Sequence, residues 1–335
     1  MTIFIKMVTQ ELFYAIIYKS YERRSQVKTS TDINFTQNYS CVVALGCFDG
    51  VHLGHVSVIT QAKERAVSLG LPLCIWSFAE PPKRFYAKEL VPLLSNAKSK
   101  SELIESLGAD IYVSVKFNED IAAVPAEDFF NNILLANLNA SVIVCGYDFT
   151  FGKGGTGNVN LLKKLCKENN VELISVASVT AKDESVSSSK IREYIKKSEI
   201  EKANILLGRP YAVTAEVING KHLGRNLGFP TINQKIDEDL CKPANGVYLT
   251  RVKLNNTSYF GITNIGTQPT VNGSDVVVET YIFDFSGDVY GQKATVEFLE
   301  FIRPETKFNS LDELIAQVNC DIDKAKSASI KYKKA

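Results

Sequence analysis

Between Cys41 and about Gly208, short apolar runs alternate with segments of helical period. The runs CVVALG (41–46), LCIWSF (73–78), DIYVSV (110–115), SVIVCG (141–146) and VELISV (171–176) read as strands. Residues 55–69 place Val56, Ile59, Ala62 and Ala66 on one helical face, and Gly70 is the expected stop. The pattern predicts further helices over 99–107, 126–138, 158–169 and 188–197. Strands nearly continuous in Val, Ile and Leu, each followed by a helix, predict a Rossmann-like α/β domain with a parallel sheet covered on both faces. Such folds bind ligands at the carboxyl ends of their strands, so the loops there are where chemistry is expected.

After Leu207-Gly208-Arg209-Pro210 the pattern changes to alternating runs: YAVTAEVI (211–218), GVYLTRVKL (246–254), TSYFGITNI (257–265), VVVETYIFDF (276–285) and KATVEFLEFI (293–302). The turn signals NG, NN, NGS and SGD separate several of them. A small antiparallel β-barrel is expected, closed by a C-terminal helix from Leu311 to about Lys326. The expected organisation is an N-terminal extension over 1–40, an α/β domain over 41–205 and a barrel domain over 206–335.

Composition narrows the classes. The chain has 335 residues, 45% of them hydrophobic and 22% charged, enough to bury two cores. Its 38 Lys and Arg nearly balance 37 Asp and Glu, so a nucleic-acid or membrane partner that relies on a broad positive field is not expected. No apolar run reaches the ~18 residues of a membrane span. Seven cysteines, none in a C-x-x-C pair, and three histidines argue for reduced thiols in a cytoplasm and against a zinc site. The apolar patch Leu12–Tyr18 follows Glu11 and lacks a small-residue cleavage site, so it reads as a short helix or arm. The basic end KAKSASIKYKKA reads as a solvated, frayed helix tail.

Three segments of the first domain carry candidate chemistry. Directly after the first strand comes GCFDGVHLGH, in which Gly46, Gly50 and Gly54 permit a tight strand-to-helix turn. His52 and His55 stand three apart at the helix start, where both rings can face a polyphosphate. CGYDFTFGKGGTG puts Asp148 at another strand's carboxyl end beside Phe149 and Phe151, ahead of a glycine-rich rim, which suits an aromatic-flanked base or ring pocket. VSSSKIR places serines at a helix start, with Lys190 and Arg192 adding positive charge. Standing alone, each also fits an ordinary turn or cap.

Two segments of the second domain do the same. In NGKHLGRNLGFPTIN, Gly224 and Gly228 allow close approach to phosphate, and His222 has no assigned chemistry. In an extended chain Thr231 and Asn233 point the same way, and both supply hard oxygen ligands suited to Mg²⁺. In VVVETYIFDF, period two puts Glu279 on a face with Val277, Tyr281, Phe283 and Phe285. A carboxylate so placed is costly without a partner or a task, and desolvation would move it toward general-base duty. A structural Glu bonded to a backbone amide is the alternative.

The string G-x-F-D-G-x-H-x-G-H resembles the adenylyltransferase module of the bacterial bifunctional riboflavin kinase/FAD synthetase family, and the other segments follow in family order. The resemblance spans about residues 41–325, including GVY (246–248), NIGTQPTV (264–271), DVYG (288–291) and FIRPETKF (301–308). It implies that riboflavin is phosphorylated by ATP to FMN, and FMN adenylylated by ATP to FAD. It assigns Gly46, Phe48, Asp49, Gly50, Gly54, Asp148, Ser188, Ser189 and Arg192 to ATP and FMN in the first domain, with His52 and His55 catalytic. It assigns Gly224, Gly228, Pro230, Tyr248 and Arg303 to ATP and flavin in the second, with Glu279 the base and Thr231 and Asn233 the Mg²⁺ ligands. A surface salt bridge is the alternative for Arg303. Expected partners are the small molecules ATP, riboflavin and FMN, in a cytoplasmic monomer or weak oligomer.

The chain departs from the family pattern at Cys47, where Asn is common, and in SFAEPP (77–82), where Glu80 and Pro81 alter T-F-x-P-x-P. These departures support an alternative: a monofunctional riboflavin kinase with an impaired adenylyltransferase domain. A non-catalytic flavin-binding protein is a third reading, opposed by the set Glu279, Thr231 and Asn233. A tRNA synthetase would show a lysine-rich second signature, which is absent.

Overall fold

The computed structural model describes residues 27–87, 90–220, 224, 227–255, 257–270 and 273–333. The apolar patch at 12–18, His222 and the last two residues lie outside them. The chain divides into two compact units, Met1–Ser188 and Ser189–Ala335.

In the first unit six strands form one parallel sheet: β1 (Lys28–Ser30), β2 (Cys41–Leu45), β3 (Leu73–Phe78), β4 (Ile111–Val115), β5 (Ala140–Gly146) and a strand at Glu172–Val176, in the order β1-β4-β3-β2-β5 and then Glu172–Val176. All five residues of β2 are buried because helices cover both faces. One face packs Val43, Trp76, Val113 and Ile143 against Phe130 and Leu162; the other packs Val42, Ile75 and Val144 against the Leu53–Leu69 helix. The five expected strands are present, and Gly70 ends that helix in a left-handed conformation (φ 66°), as expected.

Three features depart from the pattern. Lys28–Ser30, inside the segment read as an extension, forms the sheet's edge strand, and three mostly polar residues give no apolar signal. The helix expected over 126–138 is one short turn, Ala126–Asp128, followed by a π-helix, Phe129–Asn137. Its wider winding buries Phe129, Phe130, Ile133 and Leu134 on one face. SFAEPP leads into an unpredicted helix, Pro82–Tyr86, in which proline stands at the first position.

In the second unit the helices Ser188–Lys196 and Ile200–Leu207 precede a curled antiparallel sheet. Its strands run, in spatial order, Tyr211–Glu216, Lys293–Pro304, Gly246–Leu254, Thr257–Thr270, Gly273–Ile282 and Thr231–Lys235. Among the described residues the outer strands meet at one bridge, Ile218 N–H donating to Asn233 O at 2.8 Å, and Gln234 Nε2 reaches Ala215 O at 2.7 Å. A row of buried hydroxyls, Thr250–Thr263–Thr280, links three strands at 2.8 Å per contact. The C-terminal helix, Leu311–Ser329, lies against the sheet with Ile322 and Ala325 buried. It outruns the expected end at Lys326, and Lys331 pairs with Glu300, so the basic tail is docked at its root. The strand expected over 276–285 stops at Ile282, and Asp284 turns the chain (φ 53°), while Phe283 stays packed beside Tyr281 at 5.9 Å between ring centres.

Candidate active sites

In the first unit the loop after β2 joins directly to the Leu53–Leu69 helix. His52 is that helix's N-cap: its Nδ1 accepts a hydrogen bond from His55 N–H at 3.3 Å. The two imidazoles stack 3.6 Å apart at 14°, and Phe48 meets His55 edge-on at 5.3 Å. An accepting Nδ1 leaves the proton of a neutral His52 on Nε2, where it can donate to an anionic oxygen. Gly54 is needed here because a Cβ at that position would sit 3.2 Å from the His52 ring. Gly50 takes φ 77°, and a Cβ would meet the Leu94 side chain at 2.7 Å.

Two of the expected ligand residues commit their side chains to the scaffold. The Asp49 carboxylate is 3% exposed and accepts from Leu94 N–H and Ser95 N–H at 3.0 and 3.4 Å. Phe48 is fully buried in the core. Both shape the loop; neither offers its side chain to a ligand. Gly46 directly follows β2, and the pairing Leu45↔Cys145 brings it alongside Gly146. The His52 loop and Asp148 therefore open on the same edge of the sheet, with Asp148 exposed. Phe151 is buried against Phe129 and stacks with Phe149 at 5.8 Å, so it is core and not the flank of a ring pocket. Ser188 Oγ donates to Asp49 O at 3.2 Å, which ties the VSSSKIR segment to the loop. Ser189 and Arg192 continue along that helix, in the second unit.

The family departures leave this scaffold in place. Cys47 acts through its carbonyl, which accepts from Lys100 Nζ at 2.5 Å and Ser77 Oγ at 2.8 Å. Those backbone bonds do not depend on the side chain at 47. Glu80 Oε2 pairs with Arg84 Nε at 3.0 Å, which neutralises the added carboxylate. Lys100, 2% exposed, was not predicted: inside a helical pattern a lysine reads as solvated surface.

In the second unit a cavity of about 340 Å³ opens between the sheet and the C-terminal helix. Glu279, Thr231, Asn264 and Gly224 line it, opposite Leu314, Val318 and Phe308. Register explains the polar cluster. Glu279 stands directly across from Asn233 on one side and Asn264 on the other, so the three share one face. Asn264 went unpredicted, although it opens the NIGTQPTV segment. Asn233 is 6% exposed, packs its amide against Gly220, and sends Nδ2 toward Thr231 O at 3.5 Å, which turns Oδ1 the other way.

Two predicted flavin contacts turn away from the cavity, and a third, Arg303, lines it while also bracing the fold. Tyr248 is fully buried against Phe298 and Phe301, its hydroxyl donating to Ala244 O at 2.5 Å and 2.9 Å from Ser198 Oγ; its neighbour Val247 faces the cavity. Alternation along the strand explains the exchange. Pro230 is exposed, while Phe229 and Thr231 on either side line the cavity. Arg303 lies within the last strand and not after it. Its Nε and Nη2 both donate to Asp321 Oδ2 at 2.8 Å, and Nη1 donates to Pro304 O at 3.0 Å. Asp321 is 1% exposed and also accepts from Gln317 Nε2, so the pair is a buried strut between strand and helix. Gly228 sits in the preceding turn at φ 85°.

The chain matches the family model for FAD synthetase over residues 34–190 and that for riboflavin kinase over residues 207–329. A bifunctional riboflavin kinase/FMN adenylyltransferase from Listeria monocytogenes is 37% identical over 294 residues, 87% of this chain and 91% of that relative. The same-named protein of Bacillus subtilis is 36% identical over 87% of this chain and 92% of its own. A crystal structure described as a macrolide-efflux protein from Streptococcus pneumoniae superposes with a TM-score of 0.82 at 30% identity, over 90% of this chain and 98% of that one. Among the described residues no helix is long and apolar enough to cross a membrane. With both family models matched in order and such relatives covered nearly end to end, the chain belongs to the bifunctional riboflavin kinase/FMN adenylyltransferase family.

Proposed function

We propose that this chain makes both flavin cofactors, each unit spending one ATP. The observation that carries the reading is Glu279 at the wall of a cavity beside Asn264 and paired across to Asn233, in a chain that also holds the stacked His52–His55 pair. A binding protein has no need of a carboxylate set among oxygen donors beside its flavin pocket.

In the second unit Glu279 accepts the proton of the ribityl 5′-hydroxyl as that oxygen attacks the γ-phosphorus of ATP, and ADP leaves. The Thr231 hydroxyl and Asn233 Oδ1 suit Mg²⁺, since both are hard oxygens near Glu279. When bound, the ion neutralises charge on the phosphate oxygens. The flavin ring occupies the cavity walled by Val247, Ile262 and Val318.

In the first unit the FMN phosphate attacks the α-phosphorus of a second ATP and pyrophosphate leaves. The nucleophile is already anionic at neutral pH, so the protein supplies position and charge stabilisation. His52 and His55 offer ring N–H donors, while Ser188 serves the phosphates and Asp148 the sugar or base. We place the functional division near residue 205, and the enzyme in the cytoplasm as a monomer or weak oligomer. The test is product analysis. Purified chain given riboflavin, ATP and Mg²⁺ should yield FMN and then FAD. FMN alone would favour the monofunctional kinase, and neither product would refute the reading.

A further inference from the structure

Lysine is almost never sealed from solvent without a strong partner, yet Lys100 is 2% exposed. Its Nζ donates to Cys47 O at 2.5 Å and to Phe78 O at 2.7 Å. These carbonyls lie at the carboxyl ends of β2 and β3, adjacent strands at the edge where the His52 loop begins. Burial lowers the lysine pKa, with Cys47 and Asp49 working against that shift. The cost of burying the ammonium is offset chiefly by two main-chain oxygens, so it fixes backbone and not a side chain.

That backbone is held in an unfavourable shape. Phe48 has φ 52°, and Gly50 and Val51 follow at 77° and 39°. A left-handed conformation costs a residue with a Cβ roughly 1–2 kcal/mol. A flip of the Cys47–Phe48 peptide would relieve the strain at Phe48. Lys100 and Ser77 oppose it by holding the Cys47 carbonyl. In a planar trans peptide the N–H points opposite the C=O. Pinning the carbonyl therefore turns Phe48 N–H away from the ammonium, in the residue whose ring touches His55.

We propose that Lys100 is a positioning residue for adenylyl transfer: it locks the Cys47–Phe48 peptide so that Phe48 N–H serves as a fixed backbone donor to nucleotide phosphate. This rests on the adenylyltransferase reading above. A fixed donor counts most where charge builds on the leaving phosphate, so its loss falls on kcat more than on KM.

The test uses the full chain, whose kinase activity is an internal control for folding. Lys100→Met should lower kcat for FAD formation from added FMN tenfold or more. KM for ATP and FMN should stay within threefold, and the riboflavin kinase rate within twofold, of the unaltered chain. Ser77→Ala, which removes the second donor to the same carbonyl, should lower kcat two- to fivefold with the same pattern. A Lys100→Met kcat within twofold of the unaltered chain, or a loss confined to KM, overturns the proposal. If Lys100→Met also loses kinase activity, Ser77→Ala decides, and an unchanged kcat there overturns it. FAD formation by the unaltered chain separates the two failures: without it the functional reading falls; with it, only the role of Lys100 is at stake.

Discussion

Replacing Asp321 by Ala probes the strut that holds the C-terminal helix over the flavin cavity. Asp321 is 1% exposed and Arg303 17% exposed, and two guanidinium nitrogens converge on one carboxylate oxygen at 2.8 Å. Removing the carboxylate leaves a largely buried cation with Pro304 O and Thr306 Oγ1 as its remaining acceptors, and leaves Gln317 Nε2 without its bond. Breaking one side of such a pair costs about 3–5 kcal/mol. For a unit of this size that corresponds to a fall of roughly 10 °C in midpoint. The assay is thermal unfolding followed by far-UV circular dichroism, with fluorescence of the single Trp76 as reference for the first unit. Riboflavin KM should rise because both residues wall the cavity. The Arg303→Met, Asp321→Leu pair should recover most of the stability, since apolar groups of similar volume replace a buried ion pair at little cost. A loss below about 1 kcal/mol for Asp321→Ala would refute the strut, since that is the range of exposed pairs.

Two further perturbations test the scaffold. Gly50→Ala places a Cβ at φ 77° and 2.7 Å from Leu94; it should destabilise the first unit by roughly 1–3 kcal/mol and depress FAD formation, measured by denaturant unfolding and product assay. Burial pushes the thiols of Cys145 and Cys166 up to about 12 and about 11. An unfolded thiol ionises near pH 9, so above that pH the unfolded chain binds fewer protons than the folded one. Their contribution is therefore full below pH 9 and is lost as pH rises toward 12, by up to about 1.4 kcal/mol per pH unit for each thiol. Unfolding free energies from pH 8 to 11 should fall, less steeply in Cys145→Ala; a flat profile would refute the assignment.

The parts of the fold that the pattern revealed are those whose side chains are uniform in their surroundings. β2 is buried on both faces and reads as an unbroken apolar run. The parts it hid are polar by position. Lys28–Ser30 pairs only along an edge, and Thr231–Lys235 is mostly polar (Thr-Ile-Asn-Gln-Lys), so neither has an apolar signature. Motif reading singled out Glu279, which lines the cavity, and the two histidines, which stack. It did not separate residues that shape the loop from residues that face a ligand: Asp49 and Tyr248 spend their polar groups on the chain itself. Lys100 and the Arg303–Asp321 pair emerge only from tertiary contact, because a buried charge is written with the same letter as a solvated one.

The central claim is that one chain holds two separate ATP-dependent chemistries, and crossed variants test it most directly. Glu279→Gln should lower FMN formation from riboflavin by about 10²–10⁴-fold, the usual worth of a general base. It should leave FAD formation from added FMN unchanged. Replacing His52 and His55 by Ala should abolish FAD formation and spare FMN formation. Each variant losing only its own product is the predicted result; either variant losing both, or Glu279→Gln still phosphorylating riboflavin at the unaltered rate, would contradict the account.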